Sequence, residues 1–251
     1  MSFEGKVVIV TGASSGIGAA TAVLFSKEGA HVTLVGRNET KLNDVASRCV
    51  SRHLVVKADV SQEAQAKSIV DRTVSEFGKI DVLVNNAGIV RFGSVGMGNI
   101  LSAYDQVMAT NLRGAIHLTT LCVEHLLESK GNIVNVSSVG GVVTPTKPAL
   151  TSYSISKAAL NMFTQCVALE LGEYGVRANT VSPGPVVTDI MSNSGVPDSA
   201  YSWADFEPTT ALKRVGQPEE IADLIGFLAS DKAKSITGAN YVSDNGFILK
   251  R

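Results

Sequence analysis

The chain is short of charge of either sign. Charged residues make up 18% of its 251 residues and the formal net charge is −1. Nothing in that composition offers the basic field that nucleic acid or an anionic membrane requires. Cysteine is scarce and odd in number. Cys49, Cys122 and Cys166 stand far apart, which excludes a disulfide framework and points to free thiols in a reducing, cytoplasmic setting. The four histidines, His31, His53, His117 and His125, show no ligand spacing, so no metal site is expected. No apolar run approaches the length of a membrane span, and the amino terminus lacks a signal-peptide pattern. Proline is missing from the first 144 residues: all seven follow, as Pro145, Pro148, Pro183, Pro185, Pro197, Pro208 and Pro218.

What is present is apolar, at 45% of residues, enough for one large core. Strand signals at Val7–Val10, His31–Val35, Leu54–Lys57, Val82–Asn85, Asn132–Val136, Arg177–Val181 and Asn240–Val242 alternate with helical patterns. The helices are expected over Gly16–Glu28, Thr40–Val50, Ser61–Phe77, Ala103–Leu127, Ser152–Glu173 and Pro218–Ala229. Short apolar strands alternating with helices predict an α/β, doubly wound, Rossmann-type single domain over residues 1–251. Its central parallel sheet would have about seven strands, with helices on both faces and a ligand at the carboxyl ends of the strands. The stretch from Pro183 to Gln217 is irregular and proline-punctuated, and carries Met191, Tyr201, Phe206 and the single tryptophan, Trp203. Residues of about 185–217 therefore read as a substrate loop, either a lid over a ligand or an aromatic anchor to the core.

Two motifs carry chemistry. Tyr153 and Lys157 are four apart at the start of a helical pattern, so phenol and ammonium share one helix face. An ammonium beside a phenol favours the phenolate, which predicts a lowered tyrosine pKa and a proton donor usable near neutrality. At the other end of the chain, the strand Val7–Val10 runs into Thr11-Gly12-Ala13-Ser14-Ser15-Gly16-Ile17-Gly18 and then a helix. Glycines at such a turn let amides and a helix start face a pyrophosphate.

Taken in order, Thr11-Gly12-x3-Gly16-x-Gly18, Asp59-Val60, Asn85-Asn86-Ala87-Gly88, Asn111, Ser137-Ser138, Tyr153-x3-Lys157, and Pro183-Gly184 with Thr188 resemble the short-chain dehydrogenase/reductase family over nearly the whole chain. The resemblance implies hydride transfer between a nicotinamide and a carbonyl or alcohol carbon. It implies Asn111, Ser138, Tyr153 and Lys157 as the catalytic set. Tyr153 would move the proton and Lys157 would lower the tyrosine pKa and hold the nicotinamide ribose. Ser138, ahead of Ser137, would bond the oxygen on which charge develops, and Asn111 would serve a water-mediated relay to Lys157. A buried structural asparagine is the other reading of Asn111. The cofactor is expected on Gly12, Ser14, Ser15, Gly16, Ile17, Gly18, Arg37, Asn38, Asp59, Val60, Asn86, Ala87, Gly88, Pro183, Gly184, Val186 and Thr188, besides Tyr153 and Lys157. Asp59 fits the position that bonds the adenine amino group and also suits a cap for the helix Ser61–Phe77.

The second strand ends in Val35-Gly36-Arg37-Asn38, without the acid that accepts from both ribose hydroxyls in an NAD site. Arg37 can pair with a 2′-phosphate, so NADP(H) is expected, with NAD(H) as the alternative. Val90, Phe92, Val139, Val143, Leu150, Met191 and Trp203 could line an apolar pocket for a small-molecule ketone or alcohol such as a steroid or isoprenoid, and could equally be packing. The interval between Ser138 and Tyr153 runs a couple of residues long, through Val142–Pro148, which changes a pocket wall. Val242–Gly246 matches the family's acidic-glycine turn only loosely. The competing reading is a non-catalytic NADP(H)-binding regulatory protein on the same fold. From Ser152 to Leu169 the Tyr/Lys helix carries one charge, Lys157, and Arg113 is alone between Leu112 and Val123. Helices so apolar need cover on more than one side, which predicts a homo-oligomer, a dimer or tetramer, built on them.

Overall fold

The structure, a computed structural model, describes residues 2–145, 149–197 and 201–250. Seven strands form one sheet: β1 Val7–Thr11, β2 His31–Gly36, β3 His53–Lys57, β4 Val82–Asn85, β5 Asn132–Val136, β6 Arg177–Pro183 and β7 Asn240–Ser243. All neighbours are parallel, in the order β3-β2-β1-β4-β5-β6-β7. Strands this rich in valine and isoleucine suit a sheet covered on both sides, and Val7–Val10 is wholly buried.

The helices are α1 Gly16–Lys27, α2 Glu39–Ala46, α3 Glu63–Phe77, α4 Ile100–Met108, α5 Gly114–Ser129, α6 Thr151–Gly172, α7 Ile190–Asn193 and α8 Pro218–Ala229. One face of the sheet packs α1, α2 and α8 around Phe25, Leu42 and Ile225. The other packs α3, α5 and α6 around Ile69, Leu118 and Leu171. Two layers of helix on one twisted sheet are thus a single Rossmann-like domain. Among the described residues no helix is long and apolar enough to cross a membrane, and no group of three metal-ligating side chains gathers.

All seven expected strands form, several extended by one or two residues at an end. Three helical expectations are corrected. The pattern read as one helix over Ala103–Leu127 is α4 and α5 joined by a π turn at Ala109–Arg113, a widening that apolar periodicity does not encode. Helix α2 stops at Ala46 rather than Val50, and α3 begins after its N-cap Gln62 rather than at Ser61. The segment Pro183–Gln217 is not wholly irregular, for it completes β6 and holds α7 and a 3-10 helix at Trp203–Thr209. Of the long interval expected between Ser138 and Tyr153, Thr146, Lys147 and Pro148 lie outside the described residues, as do residues 198–200 of the stretch expected to form a substrate loop.

Candidate active site

The order of the sheet reverses between β1 and β4, and at that switch point the strand ends diverge and open a cleft. Thr11, the last residue of β1, ties the two strands together. Its hydroxyl donates to the Val84 carbonyl (3.2 Å) and accepts from the amides of Asn86 and Ala87 (3.0 Å each). The Asn86 carboxamide returns the bond, donating to the Thr11 carbonyl at 2.8 Å. Gly12 turns with φ +66°, and a Cβ there would stand 2.8 Å from Asn86 Nδ2. Gly18 lies in the first turn of α1, and a Cβ there would fall 2.3 Å from the Gly12 carbonyl oxygen. Any side chain at either position would push the loop off the strand ends. Ser15 is the N-cap of α1, extended, with no capping bond from its side chain, so the first amides of the helix stay open to an anion.

The cleft brings together most of the residues expected from sequence. Gly12, Ser14, Ser15, Gly16 and Ile17 form its floor, and Arg37, Asp59 and Val60 lie at one end. Asn86, Ala87 and Gly88 stand in the middle, and Ser138, Tyr153 and Lys157 lie towards the other end. Pro183, Gly184, Val186 and Thr188 close it from the β6 side. Three expected residues do not line it. Gly18 sits behind the loop, and Asn38 instead caps α2, accepting from the Lys41 amide at 3.0 Å. Asn111 is buried on the π turn. Its carboxamide accepts from the Ile89 amide (2.8 Å) and donates to the Ile89 carbonyl (3.0 Å) and to Ser156 Oγ (3.2 Å).

Sequence reasoning passed over several residues that shape this site. Asp189, Ile190 and Asn193 follow Thr188 onto the cleft. Lys41 reaches across to Asp189 at 2.9 Å, and Asn193 donates to Ser15 Oγ at 3.3 Å. The segment around α7 therefore roofs the cleft. Its polar residues in a proline-bounded stretch were the available signal. Of the apolar residues expected to line a pocket, Trp203 alone borders the cleft, together with Ile190. Val90 and Val139 are buried, and Phe92 is 43% exposed.

Asp59 accepts from the Ser61 amide (2.9 Å) and hydroxyl (2.7 Å), a turn just ahead of α3 rather than its N-cap. Its other oxygen stands 3.9 Å from the half-exposed Arg37 guanidinium. Such a loose pair leaves the guanidinium free to take a better anion.

At the chemical end, Lys157 is 3% exposed and its ammonium donates to the Val136 carbonyl at 2.8 Å. Burial lowers its pKa to about 8. The ammonium lies 5.7 Å from the centre of the Tyr153 ring. The expected lowering of the Tyr153 pKa is not what the structure gives. Burial pushes the phenol up from its ordinary value, and the opposing influence is a hydrogen bond with Ser138, not Lys157. Burial disfavours the phenolate, and the Ser138 hydrogen bond offsets only part of that effect. Ser138 also accepts from the Gly140 amide at 3.0 Å, which aims its hydroxyl at the cleft. Uncapped amides at one end, Arg37 beyond them and a hydroxyl–phenol pair at the other suit a dinucleotide lying along the strand ends.

Known proteins agree with that geometry. A family model described as enoyl-(acyl carrier protein) reductase matches residues 12–248. The 3-oxoacyl-acyl-carrier-protein reductase of Thermotoga maritima is 36% identical, over 99% of this chain and 100% of its own. The glucose 1-dehydrogenase of Gluconobacter oxydans is 37% identical, over 98% and 93%. A crystal structure of a Caenorhabditis elegans short-chain dehydrogenase/reductase of unknown function, solved with cofactor, superposes with a TM-score of 0.91 at 37% identity, covering 99% of this chain and 97% of that one. The chain belongs to the short-chain dehydrogenase/reductase family.

Proposed function

We propose that this chain, by its family an oxidoreductase of CH–OH and C=O groups, prefers NADP(H) and acts on an apolar ketone or secondary alcohol. The observation that carries the reading is the meeting of Ser138, Tyr153 and Lys157 at one end of a cleft whose other end holds Arg37. Bound nicotinamide would supply or accept the hydride. In reduction, Tyr153 would give its proton to the carbonyl oxygen, and in oxidation it would take the hydroxyl proton. Ser138 would donate to the same oxygen as charge develops there. The high phenol pKa in the free protein suits the donor role, and the hydrogen bond with Ser138 works against that rise. Asn111 would border the route of resupply, since its carboxamide oxygen and the Lys157 ammonium flank Gly88, 3.6 and 3.5 Å from where a Cβ there would stand.

Arg37 supports NADP(H), because among the described residues its guanidinium has only the distant Asp59 as ionic partner, and no acid stands at Gly36. Trp203 and Ile190 on the roof support an apolar substrate. The free thiols Cys49, Cys122 and Cys166 support a reducing, cytoplasmic setting. A dimer or tetramer is supported by Ile155, Met162 and Leu169 on α6 and Ile116 on α5, which stay 43%, 60%, 85% and 36% exposed. A panel of ketones and alcohols with each cofactor, followed by nicotinamide absorbance, tests the reading. Turnover of an apolar ketone with NADPH above NADH is expected, and inactivity across the panel or preference for NADH would overturn it.

A further inference from the structure

Ser156 lies between Tyr153 and Lys157 in sequence, yet its side chain points away from the cleft. It is wholly buried. Its hydroxyl donates to the Tyr153 carbonyl at 2.7 Å and accepts from Asn111 Nδ2 at 3.2 Å. Asn111 in turn grips both the amide and the carbonyl of Ile89, just beyond β4. A buried thread of hydrogen bonds therefore runs from the β4 end, through the π turn, to the backbone of Tyr153.

The Lys157 side of α6 is pegged separately. Ser137 Oγ donates to the Lys157 carbonyl at 3.0 Å, and the Lys157 ammonium donates to Val136. Gly141 lies so close that a Cβ there would stand 2.6 Å from the Lys157 carbonyl carbon. The β5 side therefore fixes α6 at Lys157. Of the hydrogen bonds described, the one from Ser156 is what joins the helix to Asn111 and, through it, to the β4 side. Hydrogen bonds among buried groups are strong in a low dielectric and costly to leave unmade.

We propose that Ser156 is a positioning residue for the reaction, one that holds the first turn of α6 in register with Asn111 so that the Tyr153 hydroxyl meets Ser138. The proposal rests on the function given above. Without the Ser156 hydroxyl, Asn111 loses one partner and the first turn of α6 loses its side-chain tie to the β4 side, keeping the Gly93–Ala149 backbone bond just ahead of the helix, while the Lys157 end stays pegged. A small tilt then moves the phenol more than the ammonium. Misplacement of about 1 Å costs up to roughly 10²-fold in rate.

Ser156→Ala should lower kcat by about 5- to 50-fold, with KM and NADPH affinity within about twofold of the parent. Thr164→Val is the control, two turns along the same helix. Its hydroxyl, which accepts from Asn135 and Thr180 at 2.8 Å each, belongs to a separate buried network. That variant should lose stability comparably and keep its kcat. In a cycle with Asn111→Ala, the double variant should lose no more than Asn111→Ala alone. Parent-like kcat for Ser156→Ala, an equal kcat loss in Thr164→Val, or additive losses in the cycle would each overturn the proposal. Tyr153→Phe in the same assay separates the two levels. If it stays active, the functional reading falls and this proposal with it. If it is dead beside a fully active Ser156→Ala, the Ser156 proposal alone fails.

Discussion

The two ends of one sheet treat buried charge in opposite ways. At the amino end, Asp81 just ahead of β4 is 3% exposed and amply compensated. It accepts from the Val7 amide at 2.8 Å and pairs with Lys6 at 3.1 Å and Lys79 at 3.0 Å. Burial works to raise its carboxyl pKa, and these three donors outweigh it, so the net shift is downward. At the carboxyl end, Lys157 is just as buried and has a neutral carbonyl as its hydrogen-bond partner. Its pKa falls, while the phenol beside it is pushed up. A compensated charge holds strands together and is inert. An undercompensated one sits closer to giving up or taking a proton, which is what a site for acid–base chemistry needs.

Breaking the carboxyl end should abolish turnover and leave the fold. Tyr153→Phe is expected to reduce turnover by about 10²–10⁴-fold while NADPH still binds, measured by steady-state rates beside fluorescence titration. Near-parent rates would break the assignment of the proton donor. The adenosine end should respond in affinity alone. Arg37→Ala is expected to raise the KM for NADPH tens-fold, from the loss of about 1.5–3 kcal/mol of charge-assisted contact, with far less effect on NADH. Equal weakening toward both cofactors would count against NADP(H) preference.

The amino end should show the reverse, a loss of stability without a loss of chemistry. Asp81→Asn is expected to cost about 1–3 kcal/mol, at the lower end because both lysines are half-exposed, with kcat unchanged. The sign follows from the lowered carboxyl pKa. The folded protein binds this proton less readily than the unfolded chain, so the stabilisation is present above the ordinary carboxylate value near 4 and is lost as pH falls below it. Urea melts at descending pH should therefore show a shallower acid decline in Asp81→Asn than in the parent.

The sequence exposed the architecture because the strands are short, β-branched and closed by turn residues, as in Val82–Asn85 before Asn86-Ala87-Gly88. The cleft was legible for a similar reason, since motifs at successive strand ends must meet at one edge of a parallel sheet. What stayed hidden depends on burial and tertiary partners. The π turn under Asn111 follows from how α4 and α5 fit their neighbours, not from their periodicity. The direction of the Tyr153 shift required knowing how dry the phenol is, which a Tyr-x3-Lys spacing cannot report. Asn38 read as a cofactor contact because it follows Arg37, yet at the start of α2 an asparagine is also a good cap. Apolar residues that could line a pocket or pack are told apart only by burial, as Val90 and Val139 are buried while Trp203 borders the cleft.

The contrast between the two ends rests on Lys157 being a buried, poorly compensated cation, and its titration measures that directly. NMR of the lysine side-chain resonances across pH, with Lys157 assigned from Lys157→Met, should place its pKa at about 8 in the free protein. Titration near the ordinary lysine value of about 10.4 would contradict the account.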